Sequence, residues 1–111
     1  MKSYLEFLIT NGLSLSDAGV SGFALDKPDA LRAIKILGDI NIPILGGDVY
    51  KKVGGKIQLT YDNWYYESET NQEDYVIRSL EKAEEYIRGY DDPNDGTVFY
   101  KLVIEENKLE S

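Results

Sequence analysis

The sequence predicts an α+β domain built on a small sheet, and three observations lead there. Stretches with the apolar period of helices alternate with short β-branched and aromatic runs. The pair Gly54-Gly55 separates two of those runs as a hairpin turn would. The 111 residues suffice for one core, since a second would leave each half burying too little apolar surface to offset chain entropy. The chain is therefore read as a single domain spanning residues 1–111.

Ser3 followed by Glu6 has the form of a capping box. Tyr4, Leu5, Leu8 and Ile9 then recur at helical spacing until Asn11-Gly12, which gives a short first helix. Residues 13–21 are rich in Ser and Gly and read as a connection, after which Gly22-Phe23-Ala24-Leu25 reads as a short strand. Asp26 suits an N-cap and Pro28 a first turn, so Ala30, Leu31, Ile34 and Leu37 line the face of a second helix that Gly38 stops. Ile42-Pro43-Ile44-Leu45 opens a strand that continues to Val53, and residues 56–66 return. Tyr75, Val76, Leu80, Ala83, Tyr86 and Ile87 share one face of a third helix closed by Gly89, with Asp74-Arg78 and Glu84-Arg88 as i,i+4 pairs opposite. Residues 91–96 form a turn cluster, residues 97–104 a last strand, and residues 105–111 a polar end that frays.

Without the first helix this order matches a ferredoxin-like split βαβ sheet, with the first helix as an addition. If the Phe23 segment is not a sheet strand, the same residues give a three-stranded antiparallel sheet with helices on one face.

A two-residue turn at Gly54-Gly55 pairs Val53 with Lys56, Lys52 with Ile57, Tyr50 with Leu59 and Asp48 with Tyr61. Tyr50, Ile57, Leu59 and Tyr61 then share the face expected to meet the helices, while Lys51, Lys56, Gln58, Thr60 and Asp62 face water. Continuing past Asp62 places Trp64 and Tyr66 on that wet face, where rigid aromatics rimmed by polar groups would bind a protein. A slip or bulge would instead send Trp64 into the core. Asp48 falls on the apolar face beside Gly46-Gly47, either capping amides at a bulge or serving a ligand-binding or catalytic role.

The composition excludes much chemistry. With no Cys and no His there is no disulfide, thiol nucleophile or thiolate metal site, and the commonest general base is missing. Ser14 and Ser16 have no histidine to activate them, so no catalytic residue is assigned and the protein is read as a non-enzyme. A calcium loop starting at Asp91 would need ligands where Pro93 and Leu102 stand, and Gly54-Gly55-Lys56 lacks the remaining parts of a phosphate loop. No cofactor and no metal are expected. Neither a secretory signal nor a membrane span is legible, so a cytoplasmic location is expected. The net charge of -8 repels nucleic acid and anionic lipid; it serves solubility or the steering of a basic partner.

Gly22-Phe23-Ala24-Leu25, the run Asn41-Ile42-Pro43-Ile44-Leu45-Gly46-Gly47-Asp48-Val49-Tyr50, and Tyr61-Asp62-Asn63-Trp64-Tyr65, in that order, resemble the immunity protein 40 family of bacterial polymorphic toxin systems. The resemblance implies a protein that binds and neutralises a cognate toxin domain, with a basic nuclease as one candidate that an acidic inhibitor would suit. Occlusion is the expected mechanism, with Asp48, Tyr50, Asp62, Trp64, Tyr66, Glu67 and Glu69 as the partner-binding set. The rival reading is a small-molecule-binding regulatory domain in which Asp48 receives an amine. The sequence leaves the oligomeric state open.

Overall fold

A computed structural model describes residues 3–67 and 74–105 of the chain. Its first helix, α1 (Tyr4–Asn11), is capped by Ser3, whose Oγ accepts the Glu6 N–H at 3.1 Å. Gly12 ends it because its N–H still reaches the Leu8 carbonyl while its backbone is extended; a side chain there would strike that carbonyl and Phe23. Two very short strands follow, β1 (Leu13–Ser14) and β2 (Phe23–Ala24), paired antiparallel around a 3-10 turn at Ser16–Ala18. Helix α2 (Lys27–Asp39) starts from Asp26, whose carboxylate accepts the Asp29 N–H at 3.0 Å, with proline in its first turn.

The main sheet consists of β3 (Gly46–Val53), β4 (Lys56–Tyr65) and β5 (Val98–Val103), antiparallel in the order β4-β3-β5. Helix α3 (Tyr75–Gly89) precedes β5 and carries the expected pairs, Asp74 to Arg78 at 3.8 Å and Glu84 to Arg88 at 3.1 Å. Both pairs are exposed and contribute little to stability.

The α+β class holds, and among the described residues the sheet has the three-stranded form; the split βαβ order does not form. The physical reason lies in β2, which is two residues long and runs at once into the Asp26 cap. It reaches the main sheet only through the bridge between Leu25 and Tyr100. The strand expected from Ile42 starts four residues later, at Gly46. Residues 42–45 are instead a tethered connection in which the Ile44 N–H donates to Ser79 Oγ at 3.0 Å. Ser79 is fully buried and donates in turn to the Val76 carbonyl at 2.8 Å, so the one buried hydroxyl on the inner side of α3 is satisfied twice.

The covered faces are the reverse of the sequence expectation. Val98, Tyr100 and Leu102 pair with Lys51, Val49 and Gly47, so these residues share one face of the sheet. That face meets Ala30, Ala33, Ile34 and Leu37 of α2, Ala83 and Ile87 of α3, and Tyr4 and Phe7 of α1 in the principal core. Tyr50 points the other way and is sealed by Leu15 and Ala24, with Val20, Ile57 and Phe99 around it. Leu15 and Val20, in the segment read from sequence as a mere connection, thus help to cover Tyr50 on the outer face. Each fully buried aliphatic side chain in these clusters contributes roughly 1.5–3 kcal/mol by leaving water.

Candidate protein-binding surface

The hairpin begins as its turn dictates. Gly54 and Gly55 both have positive φ, +57° and +80°, which is the type I′ geometry that fits the twist of paired strands. The expected pairs from Val53 with Lys56 to Tyr50 with Leu59 all form. Beyond them the ladder shifts, and Asp48 lies opposite Asn63 where Tyr61 was expected. The extra residues bulge out of β4. Thr60 fastens the bulge from within, its Oγ1 donating to the Val49 carbonyl at 2.8 Å and accepting the Asp62 N–H at 3.0 Å. Tyr61 takes φ 71°, a left-handed conformation costly for a residue with a Cβ, and stands 81% exposed.

Because the offset is two residues, side-chain alternation survives, and Trp64 lies on the same face as Lys51. That is the face expected to be wet; the helices cover it, so Trp64 is 6% exposed and its placement on a free surface is corrected. Its ring lies over Gly47, where an added Cβ would come within 2.2 Å of Cη2, while a Cβ at Gly46 would meet the Trp64 carbonyl oxygen at 2.4 Å. Gly47 therefore makes the flat floor that the indole needs directly across a strand, while Gly46 lets the backbone of β4 approach closely on the other face. Tyr86 of α3 stacks on the indole, ring centroids 4.6 Å apart, and Nε1 is buried with no hydrogen-bond partner among the described residues.

The ring series continues along α3. Tyr86 and Tyr90 have centroids 6.0 Å apart, and Tyr90 meets the edge of Tyr100 at 5.9 Å. The Tyr90 hydroxyl donates to Asp62 at 2.5 Å, and the Tyr100 hydroxyl donates to Asp92 at 2.8 Å. Burial, reinforced by the bond to Asp62, pushes the Tyr90 phenol up to about 12, so it is a firm donor near neutrality. Burial and then the Asp62 charge also raise Tyr86.

The sequence-predicted set divides accordingly. Asp62 and Glu67 are exposed, and Tyr66 is half-buried against Tyr75 with centroids 5.7 Å apart. Asp48 is half-buried on the outer face between Asn63 and Lys101; among the described residues its carboxylate accepts no hydrogen bond, so it caps no glycine bulge. Tyr50, 3% exposed, presents almost nothing to a partner. Glu69 lies outside the described residues.

Sequence reasoning missed Tyr61 and Tyr65, which are 81% and 67% exposed along β4. Tyr65 lies opposite Gly46, and Gly46 opposite Val103, so it stands on the uncovered end of the outer face beside a residue with no side chain. The doublet Tyr65-Tyr66 was the available signal, since two adjacent strand residues cannot both point inward. Exposed tyrosines next to Asp48, Asp62 and Glu67 suit contact with a basic, partly apolar protein surface. Among the described residues no group of three carboxylates is placed to hold a metal ion, and no helix is long and apolar enough to cross a membrane.

Residues 14–104 match the family model for immunity protein 40. Comparison with curated proteins and with solved structures gave no match in either case.

Proposed function

Since this chain belongs to the immunity protein 40 family, we propose that it binds a cognate toxin of a polymorphic toxin system in the cytoplasm of the producing cell and neutralises it by covering the active site or substrate groove. The family match over residues 14–104 is the observation that carries this reading. The surface agrees with it: the distal half of β4 presents Tyr61 and Tyr65 among Asp62, Glu67 and Asp48. In this reading the carboxylates speed encounter with a basic toxin domain, and the tyrosines, once desolvated, slow its release. Trp64 acts from beneath, holding the strand that displays them, and Tyr50 packs on the outer face of the neighbouring strand.

The test is co-purification with the catalytically inactivated toxin domain encoded by the adjacent gene, followed by an affinity measurement. Tyr61→Ala with Tyr65→Ala is expected to leave the fold intact and weaken binding by roughly a hundredfold, the scale of interface hot spots. No association between the wild-type protein and that domain would overturn the proposal.

A further inference from the structure

The tyrosine row on α3 opens into a cavity of about 350 Å3 lined by Lys82, Glu85, Tyr86, Gly89, Tyr90 and Asp91. Three features of its wall favour a cation. The first is charge: among the described residues Glu85 and Asp91 are in no ion pair, and Asp62 is held at the Tyr90 hydroxyl. Lys82 is the cation on this wall; Lys27, which donates to the Tyr90 carbonyl at 3.3 Å, lines a neighbouring cavity. The second is the pair of rings, splayed at 37° and backed by Trp64 on one side and Tyr100 on the other, which fixes their orientation. Ring faces so held attract a cation within about 6 Å. The third is the end of the 15-residue α3, where unsatisfied carbonyls carry the negative pole of the helix. Gly89 leaves this end open, for a Cβ there would meet nothing within 4 Å.

A planar cation with several donors uses these groups better than an ammonium does, because it can lie on a ring while its edges pair with carboxylates. We infer that this cavity receives an arginine side chain of the toxin, its guanidinium against Tyr86 and Tyr90 and paired with Glu85 and Asp91. The inference rests on the immunity reading and gives its interface a second anchor, joined to the β4 surface through Asp62.

Two experiments test it. N-acetylarginine amide titrated into the isolated protein is expected to shift the NMR signals of Tyr86, Gly89 and Tyr90, and the uncharged N-acetylcitrulline amide is not. Equal shifts from both, or none from either, would overturn the cavity's preference for a cation. With the inactivated toxin domain, E85Q/D91N is expected to weaken binding roughly tenfold, the sum of two exposed charge pairs, and K82Q to strengthen it a few-fold. A structural disturbance would weaken both. If the wild type binds the toxin and E85Q/D91N binds equally well, the arginine site is wrong and the immunity reading stands. If the wild type does not bind the toxin, the immunity reading itself fails.

Discussion

The two halves of the β3–β4 hairpin obey different physics. Near the turn, from Lys51 to Gln58, the strands are mostly solvated, and their register follows from two left-handed glycines. Beyond Leu59 the same strands are ruled by packing: Trp64 occupies the floor made by Gly47, and β4 gives up a regular ladder to let it. The bulge at residues 60–62 is where the two regimes meet, and it turns Tyr61 outward. A turn sets register only as far as no buried side chain demands another. Here the demand comes from one indole, and its by-product is an exposed surface.

The packed side of the sheet should fail most severely in alkali, because it holds its tyrosines neutral. Burial pushes the Tyr4 phenol well above its ordinary value, and burial together with Asp92 does the same for Tyr100. A raised folded-state pKa means that the neutral phenol is the form favoured by folding. Stability should therefore be complete below about pH 10, the unfolded value, and be lost as pH rises through the folded values. Urea midpoints measured from neutral pH to about pH 12 check this, and a flat profile would contradict it.

Next in size is Trp64→Ala, expected to cost about 3–5 kcal/mol by leaving a cavity between Gly47 and Tyr86. Gly47→Ala alone should cost roughly 1–3 kcal/mol through overlap with the indole. In a Trp64→Ala background the same change should cost less than about 0.5 kcal/mol, and a double-mutant cycle by urea unfolding would expose any failure of that coupling. Thr60→Val deprives the Val49 carbonyl and the Asp62 N–H of their shared hydroxyl, for a loss of about 1–2 kcal/mol. Smallest, and opposite in sign, is Tyr61→Gly: relief of the left-handed strain should raise stability by about 1 kcal/mol while toxin affinity falls. A variant that became less stable would show that Tyr61 is held by contacts stronger than its strain.

Much of the architecture was legible because it is local. Ser3 and Asp26 announce helix starts through their own side chains, and Gly54-Gly55 announces a turn through its backbone freedom. The covered face was not legible from β3, where Val49 and Tyr50 are adjacent and both apolar, so each side of the strand had a claim to the core. The alternation in β5, with Val98, Tyr100 and Leu102 on one side, decides it. Leu15 and Val20 gave no period at all, being brought to Tyr50 by a 3-10 turn rather than by a regular element. Of the candidate surface, Asp62 was read correctly as facing water, since carboxylates rarely have an alternative. Tyr61 was not, because its exposure depends on a bulge fixed by distant packing. Tyr86 was read as the inner side of α3 and Tyr90 was given no place; their position beside Asp62 requires knowing where β4 crosses the helix.

β4 is also an edge strand, the kind of border along which sheets of separate molecules join. Its free side is broken at Tyr61, where the left-handed residue takes the backbone out of line, and its start at the hairpin tip carries exposed Lys56. An incoming strand would find only two short, differently directed segments to pair with. The bulge that shapes the display surface thereby also leaves this border poorly shaped for the addition of a further strand.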